Sequence, residues 1–308
     1  MAPPAWPCCT MSGSSKVTPA SPIYTRRLLA YCYLCGCCRS GRCCMLNRAE
    51  IAAVVCDLDG TVYLGDQVIP GVPAAIARLR ASGRRVLFLS NNPTKTPTEY
   101  VTKLTKLGIP ATSEDILTSA LIMAEWLAAQ PGAPRVYAIG EPALIRTLQS
   151  HGVQLSDVPG QIDYVLASFD RTFAYPKLQI AFDAVRAGAK LIATNPDKYC
   201  PVPGGGEPDA AAIIAAIAAC ADTTLQFTAG KPSPLAAQAV ATRLGLPITS
   251  CLMVGDRLET DIGMAATGMP AALVLTGAST QAMADQWTGP APRIVTASVV
   301  TLVDFLLT

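Results

Sequence analysis

From Ile51 onward the chain alternates short, continuous apolar runs with longer amphipathic stretches. The run Ile51-Ala-Ala-Val-Val-Cys56 has the β-branched content of a strand buried on both faces, and it stops at Asp57 and Asp59. Pro70 to Ala81 predicts a helix, with Val72, Ile76 and Leu79 on one face and Gly83 as its stop. Arg85-Val-Leu-Phe-Leu-Ser90 predicts a second buried strand that runs into Asn91, and 97–107 a helix with Tyr100, Val101, Leu104 and Leu107 inward. Ser113-Glu-Asp-Ile-Leu-Thr-Ser reads as the cap of a further helix reaching Ala129, and Pro131-Gly-Ala-Pro134 as a linker.

Beyond the linker a fresh α/β series is expected: strand 135–140, helix 142–150, strand 162–168, helix 176–187, strand 190–194 and helix 209–220. The first sheet is expected to resume at Leu225 to Gly230, followed by helix 234–244 and strands 251–255, 271–275 and 293–296. The alternation predicts an α/β fold with a parallel sheet. Its expected organisation is one domain from 45–130 and 227–308, interrupted by an inserted α/β domain at 131–226, with 1–44 outside both.

Composition agrees. With 308 residues, 51% of them hydrophobic and 15% charged, the chain can bury a large core and hold two domains. No apolar run reaches the roughly 18 residues of a membrane span. All six basic residues of the first 49 stand without one acid, so 18 bases face all 22 acids in the remainder. That mildly acidic body argues against a nucleic-acid partner. Eight of the twelve cysteines lie in the first 44 residues; Cys56, Cys200, Cys220 and Cys251 remain, a usage that suits a reducing cytoplasm. The start admits a zinc site on Cys32-x-x-Cys35-x-Cys37-Cys38-x4-Cys43-Cys44, a targeting peptide, or an unstructured extension ahead of a start at Met45; the extension is the expectation.

Chemistry gathers at the carboxyl ends of the strands, where open α/β sheets bind ligands. Asp57 and Asp59 end the first strand, Ser90 and Asn91 the second, Lys231 opens a helix, and Asp256 with Asp261 follows the fourth strand. Two neighbouring carboxylates repel unless a cation or proton lies between them. A carboxylate can attack phosphorus, while lysine, hydroxyl and backbone amides balance the charge of the transferred group. Oxygen-only ligands favour Mg2+. Singly, each residue has a bland reading: Asp-x-Asp as a turn, Lys231 as a surface lysine, Asp261 as a helix cap. Four such groups in order at strand ends are harder to dismiss. His151 is the only histidine, which excludes a histidine cluster and a histidine phosphatase. Gly204-Gly-Gly206 lacks a following Lys-Ser/Thr and reads as a turn.

Asp57-Leu-Asp59-Gly60-Thr61, Leu89-Ser90-Asn91-Asn92, Gly230-Lys231-Pro232 and Gly255-Asp256-Arg-Leu-Glu-Thr-Asp261 resemble motifs one to four of the haloacid dehalogenase superfamily. Ala193-Thr-Asn-Pro-Asp197, Gly-Lys-Pro-Ser-Pro234 and Val-Gly-Asp-Arg-Leu-Glu-Thr-Asp-Ile262 narrow the resemblance to subfamily IIA, the NagD-like and 4-nitrophenylphosphatase-like phosphatases, over 48–308. The resemblance implies a Rossmann-like core with an inserted C2-type cap. It makes Asp57 the nucleophile and Asp59 the acid and base. Mg2+ would be held by Asp57, the Asp59 carbonyl and Asp256, with Asp261 in the outer shell, and phosphate by Ser90, the Asn91 amide and Lys231.

A receiver module shares an acidic pair, Ser or Thr and Lys, yet Asp59 and the insert favour turnover; a dehalogenase lacks Asp59 and needs no Mg2+. Cap residues Asp170, Arg171, Thr172, Asn195 and Asp197 are expected to touch the leaving group. Where the family often has Pro-Gly-Ala-Gly, this chain has Glu207-Pro-Asp209-Ala, so no particular substrate carries over. Expected partners are a small phosphorylated metabolite and a second copy in a homodimer.

Overall fold

A computed structural model describes residues 46–202 and 204–308; the readings placed on 1–45 lie outside the described residues. In chain order, β1 (Ala53–Cys56) is followed by a hairpin of β2 (Tyr63–Leu64) and β3 (Gln67–Val68), then α1 (Val72–Ala81), β4 (Arg85–Ser90), α2 (Pro97–Lys106), β5 (Ile116–Thr118) and α3 (Ser119–Ala128). The middle of the chain gives β6 (Arg135–Ile139), α4 (Pro142–Ser150), β7 (Gln154–Leu155), β8 (Tyr164–Ala167), α5 (Tyr175–Arg186) and β9 (Lys190–Ala193). A hairpin of β10 (Tyr199–Val202) and β11 (Gly205–Pro208) precedes α6 (Ala210–Ala221). The last part holds α7 (Pro234–Leu244), β12 (Cys251–Gly255), β13 (Ala271–Val274), α8 (Gln281–Gln286), β14 (Ile294–Thr296) and α9 (Val299–Leu307).

The main sheet is parallel throughout, in the order β14-β13-β12-β1-β4-β5, with β1 between β12 and β4. β1 is central and fully buried, which its uninterrupted apolar run requires. A second parallel sheet, β7-β6-β8-β9, is the cap. One face of the main sheet packs on α1 and α9 through Val54, Phe88, Leu79 and Leu302. The other shares a continuous core with α3 and the cap, in which Leu89 and Met123 join Val136, Leu144 and Ile192. α3 explains the continuity: it is buried almost all round, as a helix between two sheets must be. Trp126 on α3 meets Tyr164 and Phe227 edge to face, at ring centroid distances of 5.7 and 4.7 Å. Among the described residues no helix is long and apolar enough to cross a membrane.

Two expectations are corrected. The helix expected from Ser113 starts only at Ser119: a short 3-10 turn comes first, and Ile116-Leu-Thr118 pairs with Phe88 to Ser90 as the edge of the main sheet. Three residues are too few to display strand alternation, and the capping box in front of them resembles a helix start. The stretch from Leu225 does not resume the main sheet; it runs beside β9, with Ala193 donating to Phe227 and Ala229 donating back to Ala193. The second hairpin, β10 and β11, turns at Gly204, in the glycine run read as a turn.

Candidate active site

β1 delivers Asp57 to the end of the sheet while its N–H still bonds Val254 of β12 at 2.8 Å, so the carboxylate's direction is set by strand geometry. The chain then reverses at Gly60, in the left-handed region with φ of 86°. A side chain there would also collide with the Asp256 carboxylate, so only glycine lets the first and fourth motifs meet.

Lys231 is 2% exposed, and its Nζ lies between Asp57 Oδ1 at 2.5 Å and Asp261 Oδ1 at 2.7 Å. Arg257 N–H holds the other Asp261 oxygen at 3.0 Å. Asp256 accepts from the Ala278 amide on Oδ2 at 2.6 Å, while its Oδ1 is buried without a partner. Oxygens of Asp57, Asp256 and Asp261 lie within 4.8 Å of one another. Three carboxylates against one ammonium leave the cluster over-negative. Burial therefore pushes Asp57 well above the usual carboxylate range, with Lys231 opposing and Asp261 and Asp256 adding to the rise. Burial and then Asp261 bring Asp256 up to about 6. Burial works against the Lys231 charge, but Asp261 and Asp57 outweigh it and hold the lysine protonated. Surplus negative charge, an all-oxygen donor set and an unpartnered Oδ1 fit a hard divalent cation such as Mg2+.

Ser90 closes β4, 4% exposed, its Oγ 3.3 Å from the Tyr100 hydroxyl and accepting from Asn92 N–H at 3.2 Å. Asn91 grips the backbone of Lys231: its Oδ1 accepts from Lys231 N–H at 2.7 Å and its Nδ2 donates to the Lys231 carbonyl at 3.0 Å. Its carboxamide is thus engaged. Asp59 is exposed, apart from the three-carboxylate cluster. Protein crowding on its inner side raises its carboxyl, opposed by Lys103 and Lys95.

The cap candidates divide. Asp170 gives its carboxylate to Lys177 at 2.5 Å and to the Thr172 hydroxyl at 2.7 Å. Arg171 pairs bidentately with Glu141 at 2.5 and 2.8 Å. Asp197 reaches the core, where its Oδ2 accepts from Asn91 Nδ2 at 2.8 Å, while Asn195 stays within the cap, bonded to Thr194, Asp197 and Asp209. Sequence reasoning missed Tyr100, Ser119, whose hydroxyl donates to the Asn91 carbonyl at 2.6 Å, and Arg257, 3.7 Å from Asp197. Only Arg257 lay inside a quoted motif. At Gly277 a side chain would strike Asp256, so the loop after β13 also borders the site, which a lone glycine in the sequence did not reveal.

Two family profiles match the chain: haloacid dehalogenase-like hydrolase at 54–154 and HAD-hydrolase-like at 228–302. The sugar-phosphatase AraL of Bacillus subtilis is 37% identical over 231 residues, spanning 75% of this chain and 85% of that protein. Among solved structures, a 4-nitrophenylphosphatase from Thermotoga maritima superposes with a TM-score of 0.79 at 32% identity, covering 83% of this chain and 98% of the other. NagD from E. coli K-12 does so with a TM-score of 0.75 at 29% identity, covering 81% and 97%. With the motif residues assembled on the expected parallel sheet, the chain belongs to the haloacid dehalogenase-like hydrolases, in their NagD-like phosphatase branch.

Proposed function

We propose that the protein is a Mg2+-dependent phosphomonoesterase that works through an aspartyl phosphate on Asp57. The observation that carries this reading is the separation of the two aspartates: Asp57 is set in the buried charge cluster against Lys231, while Asp59 stands apart and open to solvent. Asp57, Asp256 and the Asp59 carbonyl would hold the metal, with Asp261 orienting from behind. Bound there, Mg2+ neutralises the repulsion between the nucleophile and the substrate's phosphoryl oxygens.

Asp57 attacks phosphorus as the ester bond breaks, and Asp59, protonated, gives its proton to the departing oxygen. The crowding that raises Asp59 supports that protonated state. Asp59, now a carboxylate, then takes a proton from water as it attacks the phosphoenzyme, releasing phosphate and restoring Asp57. Lys231, Ser90 and the Asn91 amide take up charge on the phosphoryl oxygens.

The substrate is a small metabolite ester. Likeness to a sugar phosphatase puts sugar phosphates first in a panel that includes phosphoglycolate, glycerol phosphate and nucleoside monophosphates. Four free thiols among the described residues support a cytoplasmic setting. Assaying that panel with Mg2+ and with EDTA tests the reading: hydrolysis only with metal is expected, and activity that survives EDTA would contradict it.

A further inference from the structure

Asp197 sits on the cap two residues beyond Asn195, in the loop that leaves β9, yet none of its hydrogen bonds or ion pairs leads toward a leaving group. Its Oδ2 accepts from Asn91 Nδ2 at 2.8 Å and from Asn195 Nδ2 at 2.9 Å, and its Oδ1 faces Arg257 Nη1 at 3.7 Å. The same Asn91 carboxamide clamps both backbone polar groups of Lys231, whose ammonium in turn spans Asp57 and Asp261. A continuous line of hydrogen bonds therefore runs from the cap to the lysine beside the nucleophile.

We propose that Asp197 is a positioning residue through which the cap sets the phosphate-binding loops of the core. This rests on the phosphatase reading above. The reason is the donor and acceptor chemistry of the two side chains. A carboxylate only accepts, so it takes the NH2 side of the Asn91 amide and turns the oxygen toward Lys231 N–H. Rotated by half a turn, the amide would set its oxygen against the Asp197 carboxylate and the Lys231 carbonyl and its NH2 against the Lys231 N–H, losing all three bonds. A charge-assisted bond from the cap thus fixes the amide that fixes Lys231.

Asn195 orients Asp197 in the same way, since it is itself held by Asp209 Oδ1 at 3.0 Å and by the Thr194 hydroxyl at 2.6 Å. Through this line of bonds the placement of the cap and the phosphate affinity of the core are linked. Asp197 also borders an open cleft of about 890 Å³ between cap and core, lined by Trp126, Tyr199, Phe227 and Arg257, so shortening its side chain leaves no sealed void.

The experiment is titration of inorganic phosphate into wild type, Asp197→Ala and Asp197→Asn in Mg2+ buffer, beside kcat/KM on 4-nitrophenyl phosphate and on an alkyl phosphate. Asp197→Ala is expected to weaken phosphate binding about tenfold, the size of one charge-assisted bond, and to lower kcat/KM by the same factor on both esters. Asp197→Asn recovers part of each loss, because its amide oxygen can still accept from Asn91. Combined with Asn91→Ala, the Asp197→Ala effect should shrink toward nothing. Unchanged phosphate affinity, with losses in kcat/KM that grow with the size of the leaving group, would overturn the proposal and return Asp197 to substrate contact. Additive effects of the two substitutions would overturn it as well. A wild type that neither binds phosphate nor hydrolyses any ester would instead overturn the phosphatase reading.

Discussion

The two sides of the cleft hold charge in opposite ways. On the core side Lys231 is buried between Asp57 and Asp261, where solvent and salt screen the charges little. On the cap side Arg171 leaves 54% of its side chain exposed while pairing with Glu141 and lying 3.7 Å from Glu207. Buried charges cost several kcal/mol to strand, whereas exposed pairs contribute roughly 0–1 kcal/mol. Removing the one buried ammonium of the core cluster is therefore costly, and the exposed Arg171 pair on the cap loop can vary at little cost to the fold.

The comparison breaks most visibly at Asp57, the proposed nucleophile. Asp57→Asn should reduce turnover by about four orders of magnitude or more. Its thermal midpoint should stay or rise, because a buried, over-negative cluster loses one carboxylate. Calorimetry and assay on the same sample check both. Next comes Lys231→Met, which strands Asp57 and Asp261 without a counter-charge. A loss of about 3–5 kcal/mol is expected in denaturant titration without metal, with a smaller loss in Mg2+.

The cap contributes its own buried acid. Asp209 caps α6 and accepts from Asn195, and burial raises its carboxyl from the ordinary 3.8 to about 6, against those hydrogen bonds. Between those values the unfolded chain has released a proton that the folded chain keeps. The stability this group contributes is full below about pH 4 and is lost as pH rises through 6. Asp209→Asn should remove that slope, worth on the order of 3 kcal/mol, in pH-dependent melting of variant against wild type. Smallest of all, Arg171→Ala should change stability by at most about 1 kcal/mol. An effect on Arg171→Ala as large as that of Lys231→Met would erase the distinction between the two sides.

Much of the core was legible because its signals are local. A β-branched run ending in Asp57-x-Asp59 with a Gly-Thr turn behind it announces a buried strand and its end, while the approach of Gly60 to Asp256 shows only in the fold. The edge strand β5 escaped notice because three residues following a capping box give no period. Asp197 was picked out in the sequence as a candidate near the leaving group, and its bond to Asn91 was not readable, since the partners stand 106 positions apart on different sheets and meet only where cap and core pack together. Tyr100 and Ser119 were hidden for the same reason: each reads as an ordinary helix residue until β4 is laid beside it.

The central claim is the division of labour between Asp57 and Asp59, and Asp59→Asn tests it directly. 4-Nitrophenyl phosphate needs little help in leaving, so this variant should still be phosphorylated but lack the base for the second step. Acid-quenched mass spectrometry should then find one phosphoryl group on the peptide containing Asp57, with a matching burst of 4-nitrophenol. A folded Asp59→Asn protein that shows neither adduct nor burst, beside an active wild type, would contradict the account.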